Sequence, residues 1–154
     1  MSREIILLAH NVRSLWNVGS FFRTCDAFGV ERIYLTGYTG HPLRTEISKV
    51  AIGAEQSVPW EHHGDPLPVL QALKEEGWQL LALEITPDAL PLTNVQPSDR
   101  ICLIVGHELA GIPDEIIVLC DTVACIPMLG SKESLNVAVA AGIALHWLRG
   151  CERV

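Results

Sequence analysis

The chain has 154 residues, 49% of them hydrophobic and 19% charged, a composition of one globular domain that excludes disordered, collagen-like and low-complexity classes. No apolar run approaches the ~20 residues of a membrane span, and Glu4 stands where a signal peptide carries its basic residues. The net charge of −7 argues against strong non-specific affinity for nucleic acid, yet the first fifty residues carry six basic groups against four acidic, and the remainder five against fourteen.

In chain order, an apolar β-branched run over 4–9 predicts a buried strand, and a helical stripe follows over 20–28. That stripe places Phe21, Phe22, Cys25 and Phe28 on one face, with Gly29 as its stop and Arg23 facing away from the core. A second strand is predicted over 32–36. The Trp60–Gly64 region reads as a turn, with His62 and His63 in solvent rather than on a metal. A helix over 66–76 stops at Gly77, and a strand over 78–84 leads into a polar, proline-punctuated loop over 87–99. A strand over 101–105, a helix opened by Pro113 with Asp114 and Glu115 in its first turn, and a strand over 122–126 follow.

The last helix, over 135–149, is apolar almost all round, which in so small a domain points to a second subunit. Strands alternating with helices predict an α/β fold with a mostly parallel sheet and helices on both faces. No linker, repeat or boundary divides residues 1–154, so the expectation is one domain. Five cysteines without a CxxC pair read as reduced, structural thiols of a cytoplasmic protein.

Several signatures fail. Gly106 and Gly111 have P-loop spacing, but Ile112 and Pro113 occupy the Lys and Ser/Thr positions; His107-Glu108 begins HExxH, but residue 111 is Gly. Neither GxGxxG nor GxSxG occurs. No metal is expected.

Three stretches put polar groups at strand ends or helix starts. In Asn17-Val-Gly-Ser-Phe-Phe-Arg23-Thr24, Asn17 or Ser20 can serve as an N-cap and Arg23 is either a solvated arginine or a functional one. In Ile101-Cys-Leu-Ile-Val-Gly106-His-Glu108-Leu-Ala-Gly111, a buried strand stops at a glycine suited to close backbone approach and presents one carboxylate. In Ile126-Pro-Met128-Leu-Gly130-Ser-Lys-Glu-Ser134-Leu-Asn136, Ser134 can cap the last helix, whereas capping explains Asn136 in its first turn badly.

Jointly and in this order, NxGxxxRT, GxExxG and IPMxGxxxSLNV resemble the SpoU (TrmH-like) branch of the SPOUT RNA methyltransferases, from Ala9 to Leu148 and including Ala51-Ile-Gly-Ala-Glu55. The resemblance implies a six-stranded, mostly parallel sheet whose C-terminal segment forms a trefoil knot, and a homodimer. It implies S-adenosylmethionine as cofactor, held at Glu84, Ile85, Thr86, Gly106, Ile126, Met128 and Leu135. It implies Asn17, Arg23, Glu108, Ser134 and Asn136 as the site acting on a ribose 2′-hydroxyl of RNA.

Arginine does not readily lose its proton, so Arg23 is expected to bind the adjacent phosphate and polarise the hydroxyl. Glu108, Ser134 and Asn136 would orient the arginine and the ribose. The arginine and the cofactor of one site can come from different subunits. Larger relatives of the family carry an added RNA-binding domain or basic extensions, and neither is expected here. Minimal size makes tRNA the first expected substrate and ribosomal RNA the second. The intact five-residue set disfavours the alternative, a non-catalytic RNA-binding or scaffold protein retaining the knot.

Overall fold

A computed structural model describes residues 2–150. Seven strands form one sheet: β1 (Glu4–His10), β2 (Arg32–Thr36), β3 (Trp60–His63), β4 (Gln79–Leu83), β5 (Leu90–Pro91), β6 (Arg100–Val105) and β7 (Thr122–Cys125). Their spatial order is β3-β2-β1-β6-β4-β7-β5, and every pairing is parallel. The helices are α1 (Leu15–Ala27), α2 (Thr45–Ala51), α3 (Ala54–Ser57), α4 (Pro66–Glu75), α5 (Asp114–Ile117) and α6 (Val137–Gly150).

The period of two along the strands explains the layers. Ile5, Leu7 and Ala9 of β1, with Ile101, Leu103 and Val105 of β6, pack against Phe21, Phe22, Ile47, Ala144 and Leu145 on one face. The alternate residues Ile6, Leu8, Cys102 and Ile104 pack against Leu70, Leu73 and Ile116 on the other. A strand covered on both faces is apolar at every position, which is why these two runs were readable from sequence. Cys25 and Cys102 are buried free thiols, and burial pushes both up out of the reactive range. Cys120 is also free and is pushed up to about 12 by burial. Cys151 lies outside the described residues.

Several expectations need correction. Helix α1 begins at Leu15 rather than 20, because Ser14 is its cap and accepts the Asn17 N–H; neither Asn17 nor Ser20 does so. Residues 60–63 are not a turn but edge strand β3, whose polar WEHH sequence is held by the ladder to β2. The 87–99 loop contains β5 and a 3-10 turn at Leu92–Asn94. The cap of α6 is not Ser134: Asn136 Oδ1 accepts the N–H groups of Ala138 (2.8 Å) and Val139 (3.2 Å), which is why Asn stands there. Helix α6 is also less uniform in its surroundings than in its composition. Ala141, Ala144, Leu145 and Leu148 are buried inside this chain, while Val139 and Ile143 are 51% and 42% exposed.

Candidate active site

Parallel strands converge their carboxyl ends on one edge, where open α/β sheets bind ligands. Here β4, β6 and β7 end around a cavity of about 360 Å³. Leu83, Glu84 and Ile85 enter it from β4, Val105 and Gly106 from β6, Cys125, Ile126 and Met128 from β7, and Leu135, Val137 and Ala140 from the start of α6. Six of the seven positions expected to hold the cofactor line it. Thr86 does not; its carbonyl instead closes a turn by accepting the Ala89 N–H.

The floor of the cavity is set by a tight turn after β6. His107 and Gly111 pair antiparallel, with the Gly111 N–H donating to the His107 carbonyl at 2.9 Å. Gly111 has φ +73, and a side chain on Gly106 would put its Cβ 2.7 Å from the Gly111 carbonyl oxygen, so both glycines are required by this turn. His107 Nδ1 accepts the N–H groups of Leu109 and Ala110, each at 2.9 Å, which assigns its proton to Nε2. Glu84 completes the turn: one oxygen accepts the Ile112 N–H at 2.8 Å and the other the Ile85 N–H at 3.0 Å.

Glu108 reaches across from this turn to the beginning of α1. Its two oxygens accept the N–H groups of Arg13 and Ser14, both at 2.8 Å, at the positive end of the helix. Asn17 Nδ2 approaches the same carboxylate at 3.5 Å, and Asn17 Oδ1 accepts from Asn136 Nδ2 at 3.2 Å. A chain of polar groups therefore ties the β6 turn to the N-termini of α1 and α6, joining residues 91 and 119 positions apart. Burial alone would raise the Glu108 carboxyl, but the Arg13 and Ser14 N–H groups outweigh it and hold the group below its ordinary value.

Three of the five expected site residues, Asn17, Glu108 and Asn136, are thus brought into direct contact. Ser134 lines the cavity rim and is exposed. Arg23 is placed elsewhere: it lies two turns along α1 on the exposed face and borders a separate hollow. His107, Gly111 and Glu133 also belong to the cavity wall and were not singled out for it. In sequence His107 resembles only half of a zinc motif, whereas in the fold its ring caps the turn between two glycines. His10, at the end of β1, is buried and bonded through Nδ1 to Thr36 Oγ1 at 2.9 Å, and burial pushes its imidazole below the ordinary value. No group of three or more potential metal ligands occurs among the described residues.

Comparison with known proteins follows the same lines. The family model described as the SpoU rRNA Methylase family matches residues 4–146. The tRNA (guanosine(18)-2′-O)-methyltransferase of Aquifex aeolicus is 33% identical over 145 residues, which is 94% of this chain and 68% of that protein. The protein of that name from Escherichia coli K12 is 29% identical over 143 residues, 93% of this chain and 62% of its own length. The crystal structure of an AdoMet-bound rRNA methyltransferase from Sinorhizobium meliloti superposes with a TM-score of 0.93 at 27% identity, covering 100% of this chain and 59% of that one. The chain thus spans about three fifths to two thirds of the length of these three proteins.

Proposed function

This chain belongs to the SpoU methylase family, and on that premise we propose that it transfers a methyl group from S-adenosylmethionine to a ribose 2′-hydroxyl of RNA, in tRNA before ribosomal RNA. The observation that carries the reading is the Glu108–Asn17–Asn136 junction beside the cavity. Three separated stretches of sequence meet there, and nothing in core packing requires them to be polar.

The cavity suits the donor. Its volume lies within the range of small-molecule sites, its walls are apolar at Leu83, Ile126, Met128 and Leu135, and Gly106 lines its floor. The bound donor supplies an electrophilic methyl on a sulfonium. The chain supplies position. Apolar walls exclude water, the Gly106–Gly111 turn presents backbone groups to one edge of the ligand, and the Glu108 clamp fixes the cavity rim relative to α1. Ser134, exposed at that rim, can hold the acceptor ribose by a hydrogen bond. Glu108 is a poor acceptor for the hydroxyl proton, since the Arg13 and Ser14 N–H groups hold its carboxyl below the ordinary value. Arg23 serves as phosphate ligand and polarising cation through its guanidinium.

Two features support a homodimer. Val139 and Ile143 leave an apolar strip on α6, with Trp16 52% exposed on neighbouring α1. Arg23 lies outside the cavity of its own chain, so a second copy supplies the arginine that completes each site. A C-terminal knot belongs to the same proposal, as does the cytoplasmic setting of an RNA-modifying enzyme; no described helix is long and apolar enough to cross a membrane.

Calorimetric titration with S-adenosylmethionine and S-adenosylhomocysteine tests the donor, and tritiated methyl transfer into tRNA from cells lacking the protein tests the acceptor. Binding of both compounds and a 2′-O-methyl nucleotide in the digested product are expected. No heat with either compound, alongside binding of NAD or ATP, would refute the proposal.

A further inference from the structure

The loops that follow β1, β2 and β6 are tied to one another by hydrogen bonds. After β1, Asn11 adopts a left-handed conformation (φ +54), which asparagine tolerates better than most residues. Its N–H donates to the Thr36 carbonyl at 3.1 Å, and its Oδ1 accepts the Tyr38 N–H at 3.1 Å. Thr39, buried in the loop after β2, accepts the Val12 N–H on Oγ1 at 3.0 Å. The Arg13 and Ser14 N–H groups then bind Glu108, which adds the turn after β6.

This frame holds up a ring whose position its own packing does not explain. Tyr38 is 59% exposed. Its ring contact among the described residues is edge-on with His107, at 6.3 Å between centroids and 78° between planes. His107 lines the donor cavity, so Tyr38 stands one ring away from it. The charge around that ring is one-sided. Residues 10–14, 36–40 and 106–111 contain one arginine and one carboxylate. The carboxylate, Glu108, is turned onto backbone N–H groups, whereas Arg13 is exposed and has no ion pair among the described residues.

We infer that Tyr38 is a stacking platform for the base of an unpaired nucleotide adjoining the one that is methylated, with Arg13 on the phosphate beside it. The inference rests on the proposed function and specifies the form of the RNA: the acceptor lies in a single-stranded loop or bulge. In an A-form helix the faces of the bases are covered by their neighbours, and only an unstacked base has one to give. Every base has a π-face, so a tyrosine takes it without reading sequence, and an exposed ring beside an arginine is what such binding requires. A second copy of the chain is better matched by the apolar strip at Val139 and Ile143 than by one ring set among polar loops.

Tritiated methyl transfer by the full chain into total RNA from cells lacking the protein gives KM and kcat for each variant. Tyr38→Ala is expected to raise KM about tenfold or more, the loss of one stacked base, with kcat little changed. Tyr38→Phe should restore the wild-type KM, because it keeps the ring and loses only the hydroxyl. Arg13→Gln should raise KM as well and flatten its dependence on salt, which Tyr38→Ala leaves intact. Equal affinity for S-adenosylhomocysteine in wild type and Tyr38→Ala is the check on folding; Tyr38→Leu, which keeps apolar bulk without the ring, serves if the alanine variant fails it. An unchanged KM in these variants, a Tyr38→Phe variant as impaired as Tyr38→Ala, or monomers of Tyr38→Ala by light scattering would overturn the inference, while transfer by the wild type left the proposed function standing. Absence of transfer by the wild type would strike the proposed function, and this inference with it.

Discussion

Replacing Glu108 by Gln keeps the size of the side chain and removes its charge. In the native chain the two carboxylate oxygens accept the Arg13 and Ser14 N–H groups at 2.8 Å, ahead of the first turn of α1. A glutamine offers one oxygen and one NH₂, so one of the two backbone donors meets another donor. Hydrogen bonds to a charged group contribute about 1.5–3 kcal/mol, and a charge at a helix N-terminus adds about 0.3–1 kcal/mol. The site is half-exposed, so water takes up part of the loss and about 2 kcal/mol is the expected cost. For a domain of this length that is a fall in Tm of about 4–8 °C.

The pH dependence follows from the depressed carboxyl. A group held below its ordinary value in the fold binds more protons when unfolded, so its stabilisation is complete above the ordinary carboxylate range and is lost as pH falls through the folded value. The gap in Tm between wild type and Glu108→Gln, followed by differential scanning calorimetry, should therefore be full near neutrality and close under acid conditions. An unchanged Tm at neutral pH, or a gap that persists undiminished in acid, would refute this account of the clamp.

Gly106→Ala places a Cβ at 2.7 Å from the Gly111 carbonyl oxygen and must displace the turn; with overpacking costs of about 1–3 kcal/mol, the chain should stay folded by circular dichroism while calorimetry shows at least about tenfold weaker S-adenosylmethionine binding. Arg23→Ala should keep both Tm and cofactor binding, since the side chain is exposed and has no ion pair among the described residues, yet lose on the order of 10²-fold in methyl transfer; Arg23→Lys should not restore it, because a point ammonium lacks the planar fork. Ile143→Asp, on the exposed strip of α6, should yield folded monomers by light scattering, whereas Ala141→Asp should unfold the chain, because Ala141 is only 1% exposed within a single copy.

The sequence by itself determined the strands that are buried on both faces, the glycine stops at Gly29 and Gly77, the outward direction of Arg23, and the three polar stretches, because each is written in local periodicity or in a short motif. Its failures share a cause as well. The start of α1 was missed because Ser14 precedes three residues that carry no helical stripe, and β3 because an edge strand with one solvated face needs little apolar content once a neighbour supplies its ladder. Ser134 and Asn136 are both good capping residues, and only the path of the chain decides that Asn136 caps α6. Tertiary structure alone joined Glu108 to the Arg13 and Ser14 N–H groups and Asn17 to Asn136. It also set Arg23 in a different hollow from the donor cavity. Those contacts span 91 to 119 positions, and no local preference encodes them. They follow from the parallel order that places β1 beside β6 and turns the carboxyl ends of both toward the N-termini of α1 and α6.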